Sequence, residues 1–155
     1  MFFKKKKTKV FEDYFSELQA DMVDICLEYV ENYADMIYIY CSCEPKMLSA
    51  DVFYRINNMC LRKHKINDAP GEHPEYFTTI DNQKAVIQVL IEDLKSIQEL
   101  CKKHNRPMPT EMKLYYNVKT GGFDADYKYE AVCADDSGKL PDDIFDAWFS
   151  EESVK

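Results

Sequence analysis

The most restrictive feature of the sequence is a strict two-residue alternation on either side of one glycine pair. Over residues 111–118, Met112, Leu114, Tyr116 and Val118 alternate with Glu111, Lys113, Tyr115 and Asn117. After Thr120, Gly121 and Gly122, the residues Phe123, Ala125, Tyr127, Tyr129 and Ala131 alternate with Asp124, Asp126, Lys128 and Glu130. Successive side chains of a strand point to opposite faces, so the pattern predicts a hairpin with one apolar and one charged face. Glycine supplies the positive φ that the turn requires. An isolated hairpin is marginal in water, so its apolar face demands more strands and a covering layer.

The rest of the chain supplies both. In residues 11–33, Phe11, Phe15, Leu18, Met22, Ile25 and Tyr29 recur at spacings of three and four, the stripe of an amphipathic helix. Glu12, Glu17, Asp21, Asp24 and Glu28 lie mostly off that stripe and read as its solvated face. Residues 36–43 (MIYIYCSC) form a β-rich run. Residues 52–56 read as a second strand, joined to the first by a loose turn. The stretch 63–75, with Asn67, Asp68, Pro70, Gly71 and Pro74, has loop chemistry. Residues 81–104 form a second long helix on Val86, Leu90, Leu94, Ile97 and Cys101, capped by Thr79 or Asp81 and stopped by Pro107 and Pro109. Pro141 opens a last short helix whose apolar side is Ile144, Phe145, Trp148 and Phe149. The expected fold is α+β in the order α-β-β-α-β-β-α. It is a single domain over residues 11–155, with a four-stranded antiparallel sheet, two long helices mainly on one face and a short C-terminal helix.

Composition narrows the function classes. Apolar residues make up 46% of the 155, which excludes a disordered chain. No apolar run approaches the roughly 18 residues of a membrane span. The net charge is -8, from 20 basic and 28 acidic residues, so a general nucleic-acid binder is not expected. Five of the lysines, Lys4 to Lys7 and Lys9, crowd residues 1–10 and read as a solvated, flexible basic leader. Subtracting them from the 20 basic residues leaves 15 against 28 acidic ones. Asp124, Asp126, Glu130, Asp135, Asp136, Asp142, Asp143, Asp146, Glu151 and Glu152 concentrate the excess in the last quarter, a pattern suited to a basic partner.

Candidate chemistry is sparse. The chain lacks the glycine-rich phosphate loops, the serine elbow and the helical zinc motifs. Six cysteines without a secretory leader point to reduced thiols in the cytoplasm. Cys41 and Cys43 fall on one strand face, but no second Cys/His pair at ligand spacing accompanies them. His64, His73 and His104 lie apart in or beside loops. Asp124 and Asp126 could hold a cation, yet no third ligand follows, so they read as the solvated hairpin face. The expectation is a non-enzyme with no metal and no cofactor.

Three segments carry a family likeness: residues 109–118 (PTEMKLYYNV), 120–123 (TGGF) and 126–130 (DYKYE). With the proline-led acidic helix 141–148 (PDDIFDAW), they resemble the YezG-like immunity proteins. The likeness covers about the last third of the chain. It departs in the first hairpin, where residues 44–51 replace a glycine- and acid-rich turn, and in the lysine leader. The resemblance implies a small cytosolic antitoxin that binds a cognate toxin protein, often a nuclease, and has no catalytic residues. On this reading the partner-binding residues are Asp124, Asp126 and Glu130 on the hairpin, Asp135, Asp136, Asp142 and Asp143 beyond it, and Tyr115 as aromatic anchor. The alternative is an acidic adaptor or regulatory module with no toxin partner.

Overall fold

A computed structural model describes residues 8–45, 47–133 and 138–155 of the chain. The leader lysines 4–7, together with Asp135 and Asp136, lie outside the described residues. The elements are α1 (Phe11–Tyr29), β1 (Met36–Glu44), β2 (Met47–Ile56), β3 (Met59–Arg62), a 3-10 segment (Lys63–Asp68), α2 (Ile80–Lys103), β4 (Glu111–Asn117), β5 (Phe123–Lys128) and α3 (Pro141–Ser153). The strands form one antiparallel sheet in the order β3-β2-β1-β4-β5. The class is α+β, as expected, but the sheet has five strands rather than four.

The additional strand comes from a turn at Asn57 and Asn58, whose φ values are 48° and 70°. Asparagine tolerates this left-handed region, and two such residues in succession make the tight turn that suits a hairpin. Ile56 therefore pairs directly with Met59, and β3 folds back on β2. The Asn57 amide donates to the carbonyls of Pro70 and Glu72 at 2.8 and 2.9 Å, which fixes the turn against the next loop. The first hairpin is also tighter than the sequence suggests. Glu44 pairs with Met47, so residues 47–50, expected as part of a connection, are strand.

Strand β1 lies at the centre and is buried on both faces. Ile37, Ile39, Cys41 and Cys43 join the main core beneath α1 and α2. Tyr38 and Tyr40 point the other way, with Phe53 of β2, and form a second core beneath α3. The two long helices thus share one face, as expected, and the short helix α3 covers the other. A sheet face carrying three buried aromatic rings must be covered, and Trp148 and Phe145 of α3 cover it. Trp148 meets Phe53 at 5.0 Å, Tyr115 at 5.4 Å and Tyr38 at 5.8 Å between ring centroids, all edge-to-face. Polar contacts then fix the direction of α3. Arg55 donates to the Glu152 carbonyl in its last turn at 2.7 Å, where a cation also suits the helix dipole. Arg62 pairs with Asp146 at 2.6 Å and stacks over Phe149.

On the opposite face, tyrosine hydroxyls tie the layers together. Tyr54 donates to the Cys26 carbonyl of α1 at 2.9 Å, and Tyr29 donates to the Lys63 carbonyl at 2.7 Å. The Gln19 amide donates to the Tyr127 hydroxyl at 2.6 Å and docks β5 on α1. Helix α1 stops at Tyr29, the last residue of its stripe and short of the expected residue 33, because Glu31 and Asn32 reverse the chain at positive φ. Thr79 caps α2 as expected, its hydroxyl accepting from the Asn82 amide at 3.1 Å. Among the described residues no helix is long and apolar enough to cross a membrane.

The aromatic core under α3 makes a direct prediction. Trp148→Ala should lower the unfolding free energy by about 3–5 kcal/mol, since it removes a fully buried ring from a packed cluster. Val154→Ala, at a side chain 86% exposed one residue past that helix, should stay within about 0.5 kcal/mol. Chemical denaturation of the two variants checks both.

Candidate partner-binding surface

Among the described residues, the predicted site residues Tyr115, Asp124, Asp126, Asp142 and Asp143 fall on the α3 side of the sheet. β5 is an edge strand, and Asp124 and Asp126 are exposed on it. Their cross-strand neighbours on β4 are Tyr115 and Lys113. Lys128 lies opposite Glu111, with Nζ 3.7 Å from Oε2. Lys113 also sits over the Trp148 ring, 5.4 Å from its centroid. The hairpin face is therefore not uniformly acidic. Asp124, Asp126 and Glu111 alternate with Lys113 and Lys128, and opposite charges facing each other across strands support the pairing.

Most of these carboxylates already hold a local hydrogen bond. Asp124 accepts from the Ala125 amide at 2.9 Å, and Glu130 from the Tyr129 amide at 3.3 Å. Along an unpaired strand, carboxylates that bind nearby amides also discourage pairing with another chain. Asp126 accepts from the Tyr115 hydroxyl at 3.3 Å. Asp142 and Asp143 occupy the first turn of α3, where negative charge suits the helix dipole. Asp143 reaches back to the Leu140 amide at 2.9 Å, half of a capping box. Asp142 remains exposed.

Tyr115 is half-buried. Its ring packs edge-to-face on Trp148 and, at 6.0 Å, on Tyr38. Burial, and then the charge of Asp126, push its phenol up to about 12. Through Trp148, Tyr115 joins the hairpin to α3, so Asp124, Asp126, Asp142 and Asp143 share one side of the molecule.

Two glutamates depart from the expected pattern. Glu111, read as part of the solvated face, is buried at 2% exposure. It accepts from the Tyr40 hydroxyl at 3.0 Å and faces Lys128. Burial and the adjacent Glu111 charge together raise the Tyr40 phenol far above its ordinary range. Glu44 is also buried, and its carboxylate accepts from the amides of Val132 and Cys133 at 2.7 and 3.0 Å. These bonds anchor the chain where it leaves β5 for α3.

A second acidic surface lies on α1, whose acids read in the sequence only as a solvated helix face. Helix α1 carries Glu12, Asp13, Glu17, Asp21, Asp24 and Glu28 and holds no lysine or arginine. Glu12 pairs with Arg106 at 3.1 Å, and Glu17 with Lys9 at 2.8 Å. Asp24, Glu28 and the following Glu31 have no ion-pair partner among the described residues. Exposed rings flank this stretch. Phe77, 68% exposed, shares a cleft with Glu28 and Glu31, and Phe123, 45% exposed, shares one with Asp24. Phe123 was expected on the apolar face; it lies at the start of β5, where that face runs out of cover. Counting charge element by element would have found α1, because the sequence has no basic residue between Lys9 and Lys46.

All six cysteines are free thiols, and Cys41 and Cys43 are buried in the main core. Among the described residues, no three His, Cys, Asp or Glu side chains gather as a metal site. No protein-family model matches the chain, and no curated protein matches it significantly.

The double duty of Tyr115 can be measured. Tyr115→Phe should cost less than about 1 kcal/mol, because it removes only an exposed hydroxyl contact. Tyr115→Ala should cost about 2–4 kcal/mol, because the ring supports Trp148. Equal costs in urea melts would show that the hydroxyl, not the ring, makes the contribution.

Proposed function

We propose that this protein is a non-enzymatic immunity protein that binds and occludes a basic toxin domain inside the cell that makes it. The observation that carries this reading is the exposed acidic excess at the first turn of α3 and along the β5 edge. The likeness to YezG-like immunity proteins supports it: the strand–glycine turn–strand and the acidic tryptophan helix that resemble them pack together through Tyr115 and Trp148. A nuclease must present Lys and Arg to phosphates, and a carboxylate-rich surface competes for them. The contact surface on this reading comprises Asp124, Asp126, Glu130, Asp142 and Asp143, together with Asp135 and Asp136 from the sequence between β5 and α3.

The test begins with affinity capture from the native cytosol and proceeds to kinetics with the recovered partner. Charge reversal at Asp124, Asp126 and Asp142 together should slow association at least tenfold at low salt, and the effect should fade as salt screens the field. Reversal of Asp24, Glu28 and Glu31 on α1 should slow association less than that and leave dissociation unchanged. The opposite ranking would move the interface to α1. A captured partner that leaves cells unharmed when expressed alone would make the protein an acidic adaptor instead.

A further inference from the structure

Asp93 occupies the core stripe of α2 between Leu90 and Ile97, and only 8% of it is exposed. The groups that face it are Asp21 of α1, Glu92 of its own helix and the Cys41 thiol of β1. None is a cation, and among the described residues no lysine or arginine pairs with Asp21 or Asp93. Asp93 Oδ2 finds no donor there either. A carboxylate so placed is costly when ionised, because it is desolvated and meets a like charge. The same contact is favourable when one carboxyl keeps a proton and donates it to the other. Asp21 itself is exposed, so the pair bridges the interior and the surface of the seam. On either side of it lie surface clefts, one holding Leu18 and Leu100 and the other Ile25 and Val86.

We propose that Asp21 and Asp93 form a proton-sharing clasp between α1 and α2 that releases as the pH rises past neutrality. Burial, and then the contact with Asp21, raise Asp93 to about 8. The folded chain thus keeps a proton that the unfolded chain has lost above about pH 4. Stability from this group falls as the pH climbs from that value towards 8 and levels off beyond it. The release loosens the α1–α2 seam around the pair, between apolar contacts such as Met22 and Leu94, and widens the clefts beside it.

The experiment follows wild type and Asp93→Asn by chemical denaturation from pH 5.5 to 9. One retained proton makes the wild-type unfolding constant climb up to about tenfold per pH unit relative to the variant, flattening near pH 8. Hydrogen exchange should show α1 amides opening more readily at pH 8.5 in wild type than in Asp93→Asn. Parallel stability curves overturn the proposal. Carbon-13 titration of the Asp93 carboxyl in the unaltered protein decides the matter even where Asp93→Asn does not fold. A midpoint above about 6 supports the clasp, and one near 4 removes it. Asp21→Asn, a surface change, should lower that midpoint, because its amide can donate to Asp93.

Discussion

The structure depends on the burial of β1 from both sides. Its odd-numbered residues carry aliphatic and thiol side chains to one face, and Tyr38 and Tyr40 carry aromatic bulk to the other. A strand at the edge, or one covered on a single face, could not hold both sets. β1 must therefore be central, with partners on each side and a helical layer above and below. The hairpin β4–β5 cannot attach elsewhere without exposing the Ile37 and Ile39 row. The short terminal helix is likewise no appendage. Without Trp148 and Phe145, the rings of Tyr38, Tyr40 and Phe53 would face water.

Two-sided burial has a polar consequence. Tyrosines used as core rings bring hydroxyls with them, and each buried hydroxyl needs a partner. Tyr54 uses a helix carbonyl, Tyr38 accepts from Arg55, and Tyr40 uses Glu111. The last choice draws a carboxylate inside, where Lys128 and the Tyr40 hydroxyl compensate it. Glu44 is compensated by two backbone amides. Asp93 differs from both in that its Oδ2 meets no donor among the described residues. The interior thus separates acids satisfied by fixed groups from one whose satisfaction depends on the medium.

The elements with a regular period were legible in the sequence. The apolar stripe of α2 with its Thr79 cap, and the alternation of β4 apart from buried Glu111, emerge as read, because local period and burial agree there. Three things were hidden, each for a physical reason. The turn at Asn57 and Asn58 contains no glycine or proline, so a run of β-formers conceals a reversal that asparagine alone permits. The place of α3 depends on which sheet face is left open, which is a tertiary matter; the clue was that residues 36–40 are apolar at every position. Asp93 was passed over because a charged residue in an apolar stripe looks like a neighbour of that stripe. Among the candidate site residues, the hairpin and helix acids do share a side. What sequence could not show was that Tyr115 is a packing ring, or that Lys113 and Lys128 interleave with the acids.

That interleaving bears on how the surface can work. Lys113 and Lys128 offset Asp126 and Glu111 across the strands, whereas Asp124 faces Tyr115 and keeps its charge unopposed, so the hairpin adds to the field a distant partner feels mainly through Asp124. Further acids add to it: Asp142, exposed at the start of α3, and, on the far side of the sheet, Asp24, Glu28 and Glu31, which hold no ion pair among the described residues. A basic partner would then be attracted from either side and selected only at contact. Selection at contact needs shape and rings, and the two sides differ there. The α3 side offers half-buried Tyr115 beside ordered carboxylates, whereas the α1 side offers Phe77 and Phe123 standing clear of the surface. Attraction without selection accelerates encounter but does not hold a complex. The side that binds is therefore the one whose rings and carboxylates are held in place before the partner arrives, and on that criterion the packed hairpin–α3 surface has the advantage.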